Sequence, residues 1–96
     1  MIFRRSERFK HAFRVLPAGT RKKALTAFAL FAENPGHPSL RIKKIKGFED
    51  IWEGRIDRLY RFTFHYESSV GSTEIVCVFR NVDNLDEYLK NPDLDN

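Results

Sequence analysis

The chain contains one cysteine, Cys77, in 96 residues. It therefore has no internal disulfide, and with no Cys/His pairs at zinc spacing it offers no zinc framework, a composition suited to a reducing compartment. No apolar run approaches the roughly 18 residues of a membrane span, and the start, Met1-Ile2-Phe3-Arg4-Arg5, lacks the apolar stretch of a signal peptide. The expectation is a soluble, cytoplasmic protein. Repeats and linkers are also missing, and the length suits a single core, which excludes a large multidomain enzyme. Acidic side chains are scarce in one half. Residues 1–48 hold 12 basic and 2 acidic residues, a net +10, while residues 49–96 hold 5 and 11, a net −6, which gives the overall +4.

Apolar side chains are sufficient for a core, at 42% of the residues with nine Phe among them. Ile2-Phe3 suits a brief strand. Ser6 is a candidate N-cap for a helix in which Phe9, Ala12, Phe13 and Leu16 share one face. Pro17 ends that helix, and the run from Ala18 to Glu33 carries a broad apolar stripe for a second one. The two form a helical hairpin, closed by Asn34-Pro35-Gly36-His37-Pro38.

Beyond this loop the period changes to two. Leu40–Ile45 suits an irregular strand, Ile51–Ile56 and Tyr60–Tyr66 suit two half-buried strands, and the uniformly apolar Glu74–Arg80 suits a strand inside the sheet. A short helix is predicted over Asp83–Lys90. The fold class is α+β, an N-terminal strand and helical hairpin packed on a twisted antiparallel sheet, with one domain over residues 1–92 and a frayed acidic tail at 93–96.

Parity assigns the faces. Even positions 52, 56, 60, 62, 64 and 66 are apolar and face the helices, leaving an open face of odd positions. A hairpin centred on Arg58 sets Arg55 against Arg61 and Glu53 against Thr63. Opposed guanidiniums repel unless an anion lies between them, and phosphate matches their planar fork, whereas neutralisation by Glu53 and Asp57 would make an ordinary solvated face. Arg41, Lys43, Lys44 and Lys46 form the densest basic strip and would hold phosphates in a salt-dependent manner. Together they predict one strongly cationic surface. His65 shares the odd parity and is a minor acid or base candidate. His11, His37 and Cys77 have no neighbours in sequence that suggest catalysis.

The ordered set Asn34-Pro35-Gly36-His37-Pro38-Ser39-Leu40, Lys43-Lys44-Ile45-Lys46-Gly47, Trp52-Glu53-Gly54-Arg55-Ile56 and Tyr60-Arg61-Phe62 resembles the RelE/ParE superfamily of bacterial type II toxins over roughly residues 3–92. The resemblance implies a toxin bound by a cognate antitoxin protein and, in the RelE-like branch, a ribosome-dependent endoribonuclease that cleaves mRNA and inhibits translation without metal or other cofactor. It implies catalytic roles for Arg61 and Arg55 on phosphate, Glu53 as base and Tyr88 as an aromatic that stacks on or activates the substrate, with Arg41, Lys43, Lys44 and Lys46 on the RNA backbone. Close relatives commonly carry a His where this chain has Leu85. Leucine transfers no proton, and general acid–base catalysis is worth about 10²–10⁴-fold, so activity is expected to be weakened. The alternative is a binding module of the same fold, a ParE-like gyrase poison or a degenerate toxin that only binds its antitoxin.

Overall fold

The structure, a computed structural model, describes residues 1–68 and 70–85. Tyr88, most of the predicted 83–90 helix and the 93–96 tail lie outside these residues. Strands β1 (Ile2–Arg5), β2 (Lys43–Lys44), β3 (Trp52–Arg55), β4 (Tyr60–Ser68) and β5 (Ile75–Asn84) form one sheet in the order β1-β5-β4-β3-β2. All neighbours are antiparallel except β1 and β5, the first and last of these strands in the chain, which run parallel. Helices α1 (Glu7–Arg14) and α2 (Ala18–Glu33) cover one face.

Ser6 begins α1 as its hydroxyl accepts from the Phe9 amide at 3.0 Å, satisfying a donor that has no partner within the helix. Arg21 of α2 closes the other end. Its Nη1 donates to the carbonyls of Leu16 at 2.9 Å and Arg14 at 3.2 Å, placing a cation at the negative end of the helix and binding the two helices together. Buried Ala24 and Ala27 let α2 approach the sheet closely, and Phe28 and Phe31 fill the spaces between strands. Phe31 contacts Phe62, Phe64 and Phe79 with ring centres 4.8–5.8 Å apart, an aromatic core stabilised by tilted and edge-on packing as well as by burial.

Three expectations need adjustment. The 40–45 segment is a 3-10 turn at Pro38–Leu40 followed by only two strand residues, because Arg41 takes a left-handed conformation (φ 46°) and interrupts the extended chain. Asp83 and Asn84 continue β5 and do not start a helix, since they pair with Arg61 and Tyr60. Tyr66, expected inside, is 38% exposed; Phe31, near the end of α2, reaches Phe64 one pleat earlier.

Candidate functional site

The helix-free face of the sheet carries the polar side chains. Its register is the one parity requires: Arg55 opposes Arg61, Glu53 opposes Thr63, and the rows extend to Asp83 and Asn81 on β5 and to Lys43 on β2. The face is not open, however. Thr63 is 1% exposed, Asn81 5%, Arg80 8% and Glu53 9%. A two-stranded hairpin would leave such residues in water, but a five-stranded sheet flanks them with long neighbours, such as Lys43 over Glu53.

The opposed arginines are relieved in an unexpected way. Arg61 turns back over the β3–β4 connection and donates through Nη1 to the carbonyls of Asp57 at 2.7 Å and Tyr60 at 3.0 Å. The Arg55 guanidinium has no hydrogen-bond or ion-pair partner among the described residues. Neither candidate carboxylate neutralises these arginines. Glu53 pairs with Lys43 at 3.3 Å, and Asp57 pairs with Lys23 of α2 at 3.4 Å. Asp57 also accepts from the amides of Leu59 at 2.9 Å and Tyr60 at 3.0 Å, which fixes the turn. Burial acts to raise the Asp57 carboxyl, but these two amides and Lys23 outweigh it and hold it below its ordinary value.

The basic strip divides between the two faces. Strand pleating sends neighbouring side chains to opposite sides, so Lys43 lies with Glu53 on the polar face while Lys44 sits 5.4 Å over the Trp52 ring. Arg41 and Lys46 are exposed in the segments flanking β2. The predicted single cationic strip is thus a cationic edge with two sides. Leu85 lies two residues beyond Asp83, the β5 member of the Arg55–Arg61 row, its amide donating to the Leu59 carbonyl. Tyr88 is outside the described residues.

Arg80 and its contacts went unrecognised in the sequence. At a bulge between Thr63 and Phe64, Asn81 opposes Thr63 and Phe79 opposes Phe64, so Arg80 is the extra residue of β5. Alternation from the core residues Cys77 and Phe79 puts Arg80 on the polar side with Val78, and the extra residue brings Asn81 to that side as well while keeping Val82 in the core. Arg80 Nη1 donates to Nδ1 of His65 at 2.8 Å; His65 Nε2 meets Glu67 Oε2 at 2.8 Å, and Arg4 Nη2 donates to Glu67 Oε1 at 2.7 Å. These side chains line a depression of about 320 Å³ together with Ser6 and Val78. The hydrogen bond from His65 and then that from Arg4 hold the Glu67 carboxyl below its ordinary value. On the other face, Cys77 is 0% exposed and burial pushes its thiol up to about 12, which disfavours the nucleophilic thiolate.

Chemically, the polar face offers the guanidiniums of Arg55, Arg61 and Arg80 beside a buried carboxylate, Glu53. Such an arrangement can bind and polarise a phosphodiester.

No protein-family model matches the chain, and no curated protein matches it by sequence. Solved structures do match its fold. A YoeB/ParE toxin from Agrobacterium tumefaciens superposes with a TM-score of 0.68 at 15% identity, covering 88% of this chain and 98% of the other. A RelB–RelE antitoxin–toxin complex from Methanococcus jannaschii gives 0.66 at 21% identity, with 94% and 96% covered. YafQ from E. coli gives 0.66 at 11% identity, with 88% and 93% covered.

Proposed function

The chain has the fold of the RelE/ParE toxins, and from this premise we propose that it is the toxin of a toxin–antitoxin pair, working in the cytoplasm as a ribosome-dependent endoribonuclease on mRNA. The observation that carries the reading is the arginine set Arg55, Arg61 and Arg80 on a helix-free sheet face, with Glu53 engaged by Lys43 and Asp57 by Lys23. The Arg55 guanidinium, which has no hydrogen-bond or ion-pair partner among the described residues, suits a polyanion. In this reading Arg55, Arg61 and Arg80 receive the scissile phosphate, and Lys43 with the exposed Arg41, Lys44 and Lys46 tracks the flanking backbone.

Cleavage follows from proton transfers around that phosphate. A base removes the 2′-OH proton, the 2′-oxygen forms a bond to phosphorus, the guanidiniums stabilise the charge on the phosphorane, and the bond to the 5′-oxygen breaks as an acid protonates it. Glu53 is the assigned base, oriented by Lys43, and Tyr88 the assigned aromatic at the substrate. A cognate antitoxin is the expected protein partner, as RelE of Methanococcus jannaschii is solved in complex with its antitoxin RelB.

Leu85 favours a second reading. It stands two residues beyond Asp83 of the arginine row, at a position where the resemblance implies a histidine, and its inability to transfer a proton points to a binding module that poisons gyrase or only engages an antitoxin. Primer extension on translated mRNA separates the two. The nuclease reading expects cuts with the natural chain, fewer with Arg61→Ala and more with Leu85→His. Absence of cuts with all three, and no growth arrest on expression, contradicts it.

A further inference from the structure

β2 pairs only with Trp52 and Glu53 of β3, so from Gly54 onward the outer edge of β3 has no strand beside it among the described residues. The Pro38–Leu40 turn approaches that edge instead. Between this turn, α2 and the end of β3 lies a cleft of about 260 Å³ that shares no lining residue with the polar-face depression. Its apolar lining is aliphatic, from Ala27, Leu30, Leu40 and Ile56, with no aromatic ring. Lys23 and Arg55 add positive charge. Lys23 is paired with Asp57 at 3.4 Å, whereas the Arg55 guanidinium has no hydrogen-bond or ion-pair partner among the described residues, so one positive charge is left uncompensated. The two hydroxyls that line the cleft, Thr26 and Ser39, have already committed their protons. Thr26 Oγ1 donates to the Lys22 carbonyl at 3.2 Å. The Ser39 amide donates to His37 Nδ1 at 3.2 Å, so that nitrogen is an acceptor, and the Ser39 hydroxyl, 2.8 Å from the same atom, donates to it as well. Both oxygens keep lone pairs for an N–H of a ligand.

We propose that this cleft binds a short acidic–aliphatic segment of a partner protein. Its carboxylate meets Arg55, a neighbouring aliphatic side chain packs against Leu30, Leu40 and Ile56, and a main-chain N–H donates to the Ser39 or Thr26 hydroxyl. One carboxylate balances the one uncompensated charge, and the planar guanidinium fork matches it bidentately. A volume below the roughly 300 Å³ at which sites for drug-sized ligands begin suits one or two side chains and not a whole cofactor. Nucleic acid is the poorer occupant. Each nucleotide brings a further charge, and unpaired bases stack on aromatic rings, which the cleft lacks. Arg55 also stands opposite Arg61 in the polar row, so it belongs to both surfaces. A carboxylate that occupies it from the cleft withdraws it from the RNA face without covering that face. This competition rests on the function proposed above; the peptide site itself does not.

The test is an amide-shift titration of the nitrogen-15-labelled chain with acetyl-leucyl-glutamyl-leucinamide and with its glutaminyl counterpart. The glutamyl peptide should give saturable shifts at Thr26, Leu30, Ser39, Leu40 and Ile56. The glutaminyl peptide should bind at least about tenfold more weakly, the scale of a lost hydrogen bond to a charged group. Arg55→Gln should weaken binding of the glutamyl peptide by a similar factor. Thr26→Trp, at an exposed position of α2 where a large ring obstructs the cleft, should abolish the shifts. The comparison of the two peptides on the natural chain needs neither variant to fold. A short single-stranded RNA is the second probe. Saturating glutamyl peptide should weaken RNA binding to the natural chain by the same factor as Arg55→Gln does, and should not weaken it further in Arg55→Gln. Equal affinity for the two peptides, peptide shifts confined to other surfaces, or cleft shifts produced by RNA and not by peptide overturns the proposal. RNA binding that the peptide leaves unchanged overturns the sharing of Arg55. Peptide bound in the cleft of a chain that binds no RNA upholds the site and refutes the nuclease reading.

Discussion

Gly54 lies between Glu53 and Arg55 in β3, on the strand face that packs against the core. A Cβ at this position would overlap the edge of the Phe62 ring and come within 2.8 Å of Ile42 Cδ1. Phe62 cannot yield: it is 0% exposed, and Phe28 and Phe31 stand 5.2 and 5.8 Å from it in edge-on contacts. Alanine normally improves a strand position over glycine by about 0.5–1 kcal/mol. Here overpacking, typically about 1–3 kcal/mol and near its upper end against an immobile ring, outweighs that gain. Gly54→Ala should therefore destabilise the fold by about 2 kcal/mol, lowering the melting temperature by roughly 8–16 °C. Phe62→Leu removes the ring atoms that the new methyl meets. In urea unfolding, the double variant should be at least about 1 kcal/mol more stable than the sum of the two single losses predicts. A neutral Gly54→Ala, or strictly additive losses, would refute the packing described for this strand and with it the reason that Arg55 is held opposite Arg61.

Arg61→Ala should lower stability by about 1–2 kcal/mol in urea titrations as well as impair any phosphate chemistry, because its guanidinium closes the 57–60 turn. A variant of unchanged stability would mean that the turn does not need it. Lys43→Ala should cost more stability than Lys44→Ala, by about 0.5 kcal/mol, a difference kept small by the 71% exposure of the Lys43 side chain; equal losses would contradict the division of the strip between two faces. Asp57 and Glu67 are both held below their ordinary values, so their stabilisation is complete above the unfolded carboxylate range, about pH 4, and is lost as pH falls through the lower folded values. The urea midpoint of Glu67→Gln should fall less steeply than that of the natural chain below pH 4. Cys77, 0% exposed with its thiol pushed up to about 12, should resist an aromatic disulfide reagent at pH 8 until the protein is unfolded.

Much of this architecture is legible in the residues. Ser6 as a cap, Pro17 between the helices and the period-two alternation from Trp52 to Tyr66 lead to the helical hairpin and to the pairing of Arg55 with Arg61, because each is a local rule that the tertiary structure does not override. Arg80 is different. Its pairing with Asn81 on one face depends on a single extra residue in β5, and a strand that is apolar at nearly every position gives no alternation from which either the face of Arg80 or the extra residue would show. The His65 network likewise joins β4, β5 and β1, whose adjacency comes from the parallel pairing of the first strand with the last. Lys43 and Lys44 mislead for the reverse reason, since proximity along a strand places side chains on opposite faces. The Arg61 contacts depend on a side-chain rotamer, which residue pattern does not specify.

The central claim is that the helix-free sheet face, through Arg55, Arg61 and Arg80, receives RNA. The most direct measurement is an amide-shift titration of the labelled protein with a short single-stranded RNA at two salt concentrations. Shifts concentrated at Glu53, Arg55, Arg61, Thr63, Arg80 and Asn81, weaker at high salt and reduced by Arg80→Ala, are the predicted result. Shifts confined to the outer surface of α1 and α2, or binding that does not respond to salt, would contradict it.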